Sequence, residues 1–155
     1  MVLLMNREET LPLDPAATDS IYLTGPFAAD VDVLMGNYYG SGTRYVTFLE
    51  GLANRAGNGV KVEYRPGCLP DRYNANEIQW AIGEAAAADV TIAVVGNHPY
   101  MEGEEGDAIA SADHGDRAAI EIPPSQLEYV KKLRRRARKL ILVLTGGGAF
   151  ALDGI

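Results

Sequence analysis

Six carboxylates fall within fifteen residues: Glu102, Glu104, Glu105, Asp107, Asp113 and Asp116. Neighbouring negative charge and partial burial both disfavour ionisation of a carboxyl, so one member of such a cluster is expected to hold its proton near neutral pH. A protonated carboxyl can hand that proton to a departing oxygen, which is what hydrolysis of a glycosidic bond requires, together with a second carboxyl in a defined position. The plain rival is a solvated acidic loop. His98 and His114 flank the cluster and suggest a metal site with Glu102 or Asp107. Their spacing matches no helix-borne zinc motif, and the carboxylates miss the calcium-loop pattern. Both histidines are therefore expected to be loop hydrogen-bonders, with no metal bound.

The acidic residues lie in a connection of roughly 27 residues, from Gly96 to the helix expected at Pro123. Connections in compact α/β domains usually run about 2–6 residues, and longer ones tend to be functional or disordered. With so many like charges and glycines, the stretch is expected to be mobile or partner-held rather than packed on its own core. A second polar loop, Met35 to Thr43, carries Asn37, Tyr38 and Tyr39 between glycines. Its rings either cover the core or form a stacking and hydrogen-bonding platform for a polar ligand. Gly25-Pro26 and Gly146-Gly147-Gly148 follow strands, yet neither fits a phosphate-cradling motif, and no nucleotide or other cofactor is expected.

Elements that hold these loops are legible from hydrophobic period. Ser20–Thr24, Val60–Tyr64, Val90–Val95 and Leu140–Leu144 read as strands, the third uniformly apolar as in a sheet covered on both faces. Thr43–Arg55, Asn74–Ala88 and Pro123–Lys139 read as helices, with apolar stripes at Val46, Leu49, Leu52 and Ala53, at Ile78, Ala81, Ile82 and Ala85, and at Leu127, Val130 and Leu133. Alternating strands and helices predict an α/β fold: a three-layer α/β/α sandwich on a mostly parallel, flavodoxin-like sheet. Residues 1–19 are expected to be a lead-in segment, with 20–155 the sandwich domain, incomplete at its C-terminus. The long acidic loop then leaves the carboxyl end of a buried strand, where open α/β sheets place their ligands.

Composition narrows the class. Hydrophobic residues make up 47% and charged residues 23%, ordinary for a globular chain. A net charge of −7 argues against nucleic acid, whose phosphates are bound by Lys and Arg. The basic run from Lys131 to Lys139 closes a helix and complements its dipole. No apolar run approaches the roughly 20 residues that span a membrane. Cys68 is alone, so no internal disulfide forms.

Several segments, in order, resemble the second domain of glycoside hydrolase family 3. They are Val2–Arg7 with Thr10–Leu13, Ile21–Pro26, Gly36–Gly40 with Thr47–Leu52, and Val94–Gly103 followed by Gly115-Asp116-Arg117 and Ile122-Pro123. The resemblance implies a β-glucosidase- or β-xylosidase-like retaining enzyme acting on a β-linked oligosaccharide or glycoside. In that family a (β/α)8 barrel of the same protein supplies the nucleophile, and the sandwich domain supplies the acid/base glutamate. His98-Pro99-Tyr100-Met101-Glu102 is similar to one context of that glutamate, which carries the acid/base role to Glu102. Gly103-Glu104 is similar to another context, so Glu104 is the rival. Asn37, Tyr38, Tyr39, His98 and Tyr100 are implied as substrate-binding. The barrel is absent from this chain, so it reads as a fragment inactive alone. The alternative is a small-molecule, sugar-binding or interaction module of flavodoxin-like fold without catalysis.

Overall fold

The computed structural model describes residues 1–36, 41–76, 79–106, 108–111 and 113–155. Four parallel strands, β1 (Ser20–Thr24), β2 (Lys61–Arg65), β3 (Val90–Gly96) and β4 (Leu140–Thr145), form one sheet in the order β2-β1-β3-β4. The α/β expectation and the four strand positions hold to within about one residue at each end. Register places Leu23 beside Ile92 and Tyr22 beside Thr91, and Ile92 beside Ile141. Because side chains alternate across a strand, Leu23, Ile92 and Val94 share one face, while Tyr22, Thr24 and Ala93 share the other.

Each face carries its own core. On the first, α2 (Phe48–Arg55) lays Leu49 and Leu52 over Leu23, Phe27 and Val94. On the second, α3 (Gln79–Ala87) and α4 (Pro124–Arg134) pack Ala85, Tyr129 and Leu133 against Tyr22 and Ala93. Full burial of a side chain such as Leu133 contributes about 1.5–3 kcal/mol. The short α1 (Asp32–Met35) leads into the Asn37–Gly40 segment, which lies outside the described residues. Burial pushes the Cys68 thiol beside the second core up to about 12, so it stays protonated. Among the described residues no helix is long and apolar enough to cross a membrane.

The helices are shorter than the periodicity implies. Thr47 Oγ1 accepts from Glu50 N at 3.1 Å, so capping starts α2 at Phe48 and leaves Val46 exposed. Ala53, expected on the inner stripe, is also exposed. In α4, Gln126 and Tyr129 share the core with Val130 and Leu133, while Leu127 is only half-buried. That helix stops at Arg134, before the rest of the basic run, and a turn closes it with Ala137 N donating to Leu133 O at 2.8 Å.

The start of β1 is fixed by Asp89, whose Oδ2 accepts from Ser20 N at 3.0 Å and Ser20 Oγ at 2.9 Å. The hydroxyl of Ser20, then the backbone N–H groups of Ser20 and Asp19 and the Arg138 guanidinium, hold the Asp89 carboxyl below the usual aspartate range. A carboxyl depressed in the folded state adds stability above its unfolded pKa of about 3.9 and loses it as pH falls through the folded value. Asp89→Asn is therefore expected to melt at lower temperature at neutral pH. The difference from the parent should shrink below about pH 4. A constant difference across that range would contradict this account.

Candidate functional site

In this strand order the chain departs in opposite directions from β1 and β3, so a crevice opens between their carboxyl ends. Two loops meet there. The one after β1 brings Asp30, and the one after β3 brings His98. His98 Nε2 lies 3.3 Å from Asp30 Oδ2, while Tyr100 N donates to His98 Nδ1 at 3.2 Å. Acceptance at Nδ1 assigns the imidazole proton to Nε2, facing the aspartate. The imidazole is 7% exposed and is enclosed by the Tyr100 ring at 4.1 Å and the Phe27 ring at 5.8 Å. His98 thus turns inward and braces the loop, while Tyr100 keeps a part-exposed edge. Burial, then Asp71 and Asp30, push the Tyr100 phenol up, so its hydroxyl stays a hydrogen-bond donor.

Among the described residues, the carboxylates that gather at His98 come from the loop after β1. His98 meets Asp30 and Asp32 rather than Glu102, with ligand atoms within 4.8 Å of one another. Both of its ring nitrogens already face protein partners. His114 is exposed, at a left-handed φ of 63°. Asp107 lies outside the described residues, as do Asn37, Tyr38 and Tyr39.

The acidic loop has an apolar floor, contrary to the expectation of a stretch without its own core. Met101 is 8% exposed and Ala108 5% exposed, and Met101 joins the cluster of Leu23, Phe27 and Val94, with Ala110 packed against it. Two backbone bonds close it: Met101 N to His98 O and Ala110 N to Tyr100 O, both at 2.8 Å. Counting charges hid this floor, because the three apolar residues have no period that marks them as inward.

Glu102 stands over that floor at the crest of β3 and β4. Asn97 Nδ2 donates to Glu102 Oε2, and Arg117 Nε lies 2.8 Å from the same oxygen. The Arg117 N–H is not aimed along that line, so the contact is an ion pair rather than a linear hydrogen bond. Arg117 Nη2 donates to Ala149 O at 3.0 Å, and its guanidinium lies over the Phe150 ring, 4.9 Å from the centroid. Ala151 N then donates to Ile120 O at 2.8 Å, pinning the segment after β4 beside the end of the loop. Among the described residues Glu102 thus has a cation against it, whereas Glu104 and Glu105 are exposed. Sequence reasoning noted Arg117 only as part of a motif. Its pairing with Glu102 across fifteen residues had no local signal.

A retaining site needs two carboxyls about 5–5.5 Å apart around the scissile bond. The described residues offer a positioned carboxyl at Glu102, an exposed one at Glu104, and a part-exposed Tyr100 on the same loop.

Comparison with known proteins places the whole chain in one family. The family described as Glycosyl hydrolase family 3 C-terminal domain matches residues 1–155. Beta-D-xylosidase 3 of Arabidopsis thaliana is 34% identical over 97% of this chain, and Periplasmic beta-glucosidase of Salmonella typhimurium is 33% identical over 98%. Those alignments cover 18% and 21% of the two relatives, so the chain spans about a fifth of their length. Among solved structures, a GH3 exo-beta-xylosidase in complex with a xylobiose aziridine activity-based probe superposes with a TM-score of 0.75 at 28% identity. It covers 93% of this chain and 17% of that one. A GH3 beta-glucosidase of Bifidobacterium adolescentis gives 0.73 at 26% identity, covering 98% and 21%.

Proposed function

The chain belongs to glycoside hydrolase family 3, as a C-terminal domain of that family, and we propose that its acidic loop supplies the general acid/base of a retaining β-glycosidase. The substrate class is a β-xyloside or β-glucoside, and the nucleophile comes from a (β/α)8 barrel in the same protein. In the first step the nucleophile attacks the anomeric carbon as the glycosidic C–O bond breaks. Glu102 gives its proton to the leaving oxygen. In the second step the Glu102 carboxylate takes a proton from water as that water displaces the nucleophile.

One observation carries the choice of Glu102. Its carboxyl is fixed at the crest by Asn97 and Arg117, both on Oε2, whereas Glu104 is exposed. Proton transfer to a bound substrate is efficient only when the group is held in place. Tyr100 offers its hydroxyl to the sugar, and His98 holds Tyr100 from behind. Asn37, Tyr38 and Tyr39 remain proposed contacts from the loop after β1.

The test uses the enzyme in which this domain accompanies its barrel. With Glu102 and Glu104 both replaced by alanine, turnover of alkyl β-xylosides and β-glucosides should be lost while 4-nitrophenyl substrates still form the covalent intermediate. Wild-type turnover of alkyl substrates by the double variant would overturn the proposal and favour a binding module without catalysis.

A further inference from the structure

We propose that Arg117 is a positioning residue that clips Glu102 in its working orientation, with Gly148 as the gap that lets the clip close. The inference rests on the reading of Glu102 as acid/base and names what holds it.

Arg117 joins two pieces of chain that nothing local connects. Its Nε faces the carboxyl on the loop after β3, its Nη2 holds Ala149 O after β4, and its plane lies on Phe150. The side chain is only 15% exposed. Nε and Nη1 are buried and, among the described residues, have no hydrogen-bond acceptor. A guanidinium normally spreads its five N–H groups over acceptors, so one enclosed with donors unspent is held for its charge and its shape. The charge meets Oε2 of Glu102, where it stabilises the carboxylate that forms as a proton leaves.

Gly148 marks how tightly the clip closes. A Cβ there would stand 3.0 Å from Arg117 Nη2 and 3.3 Å from Glu102 Oε1. A side chain there asks the ends of both Arg117 and Glu102 to give by a few tenths of an ångström, which shifts the guanidinium and the carboxyl it contacts. The contact therefore asks for glycine for reasons of space, since Gly148 shows no left-handed backbone.

Arg117→Ala, in the barrel-bearing enzyme, should lower kcat for alkyl glycosides roughly 10- to 100-fold, because a catalytic group displaced by about 1 Å costs that order. The loss for 4-nitrophenyl glycosides, which leave without protonation, should be several-fold smaller, and KM should change little. Arg117→Lys keeps the charge without the fork and should recover part of kcat. Gly148→Ala should reproduce the same leaving-group pattern, and it carries the test if Arg117→Ala does not fold. Equal losses on both substrate classes, or a rise in KM alone, would overturn the assignment. Wild-type behaviour of the Glu102/Glu104 double variant would sink the acid/base reading itself. An impaired double variant beside a normal Arg117→Ala would sink only the clip.

Discussion

Glu102→Ala in the barrel-bearing enzyme is expected to slow alkyl β-glycosides by about 10²–10⁴-fold, the range a general acid contributes. Aryl glycosides with good leaving groups should pass the first step almost unhindered. They should then stall as the glycosyl-enzyme, because no base activates the water. Added azide should restore turnover of these substrates by attacking the intermediate without base help, yielding a β-glycosyl azide. Glu104→Ala is the control. Glu104 is exposed two residues farther on, and its removal should leave the leaving-group dependence near that of the parent. If the two variants exchange behaviours, Glu104 is the acid/base and Glu102 the loop's anchor. If neither changes, the loop's carboxylates serve binding or structure.

Gly96→Ala should cost the fold about 3 kcal/mol or more, the joint effect of backbone strain and a clash that cannot relax. Gly96 ends β3 at a φ of 132°, a region that side chains rarely adopt. A Cβ there would meet the backbone of Thr145, with Thr145 N 2.8 Å away. Neither strand can retreat, because Gly96 N donates to Gln126 Oε1 at 2.7 Å and Gln126 Nε2 donates to Gly96 O at 3.0 Å. Gln126 is fully buried and also donates to Pro70 O at 2.6 Å, so a shift of Gly96 disturbs a closed polar network. Gly57→Ala is the comparison, since nothing lies within 4 Å of a Cβ there. Urea unfolding should separate the two variants clearly. A Gly96→Ala loss within about 0.5 kcal/mol, typical of an unconstrained surface position, would show that the β3–β4 crest is looser than described. Because Asn97 N donates to Thr145 O at 2.8 Å, the same substitution should also displace the residue that holds Glu102.

The sequence by itself determined the layers of this protein. Val90–Val95 is apolar but for Thr91, without alternation, and a strand covered on both faces tolerates that, so β3 was expected to be central. Turn residues marked the strand ends closely enough to place the acidic loop at the carboxyl end of that strand, whereas the helices are shorter than their apolar period implied. Family resemblance added a role for Glu102, which composition leaves open between a proton donor and a solvated charge. Tertiary structure decided what that carboxyl touches. Glu102 was expected among like charges, and among the described residues it meets the cation Arg117, because β4 brings Ala149 and Phe150 to the same crest and gives the guanidinium a seat. His98 was expected to hydrogen-bond within its loop, and its partner Asp30 comes from another loop, because the strand order sets the loops after β1 and β3 side by side. Met101 and Ala108 anchor a loop whose charges had suggested no core of its own. Such contacts join residues far apart along the chain. Hydrophobic period reports only how a segment meets its own neighbours, so they become visible once the sheet has fixed which loops meet.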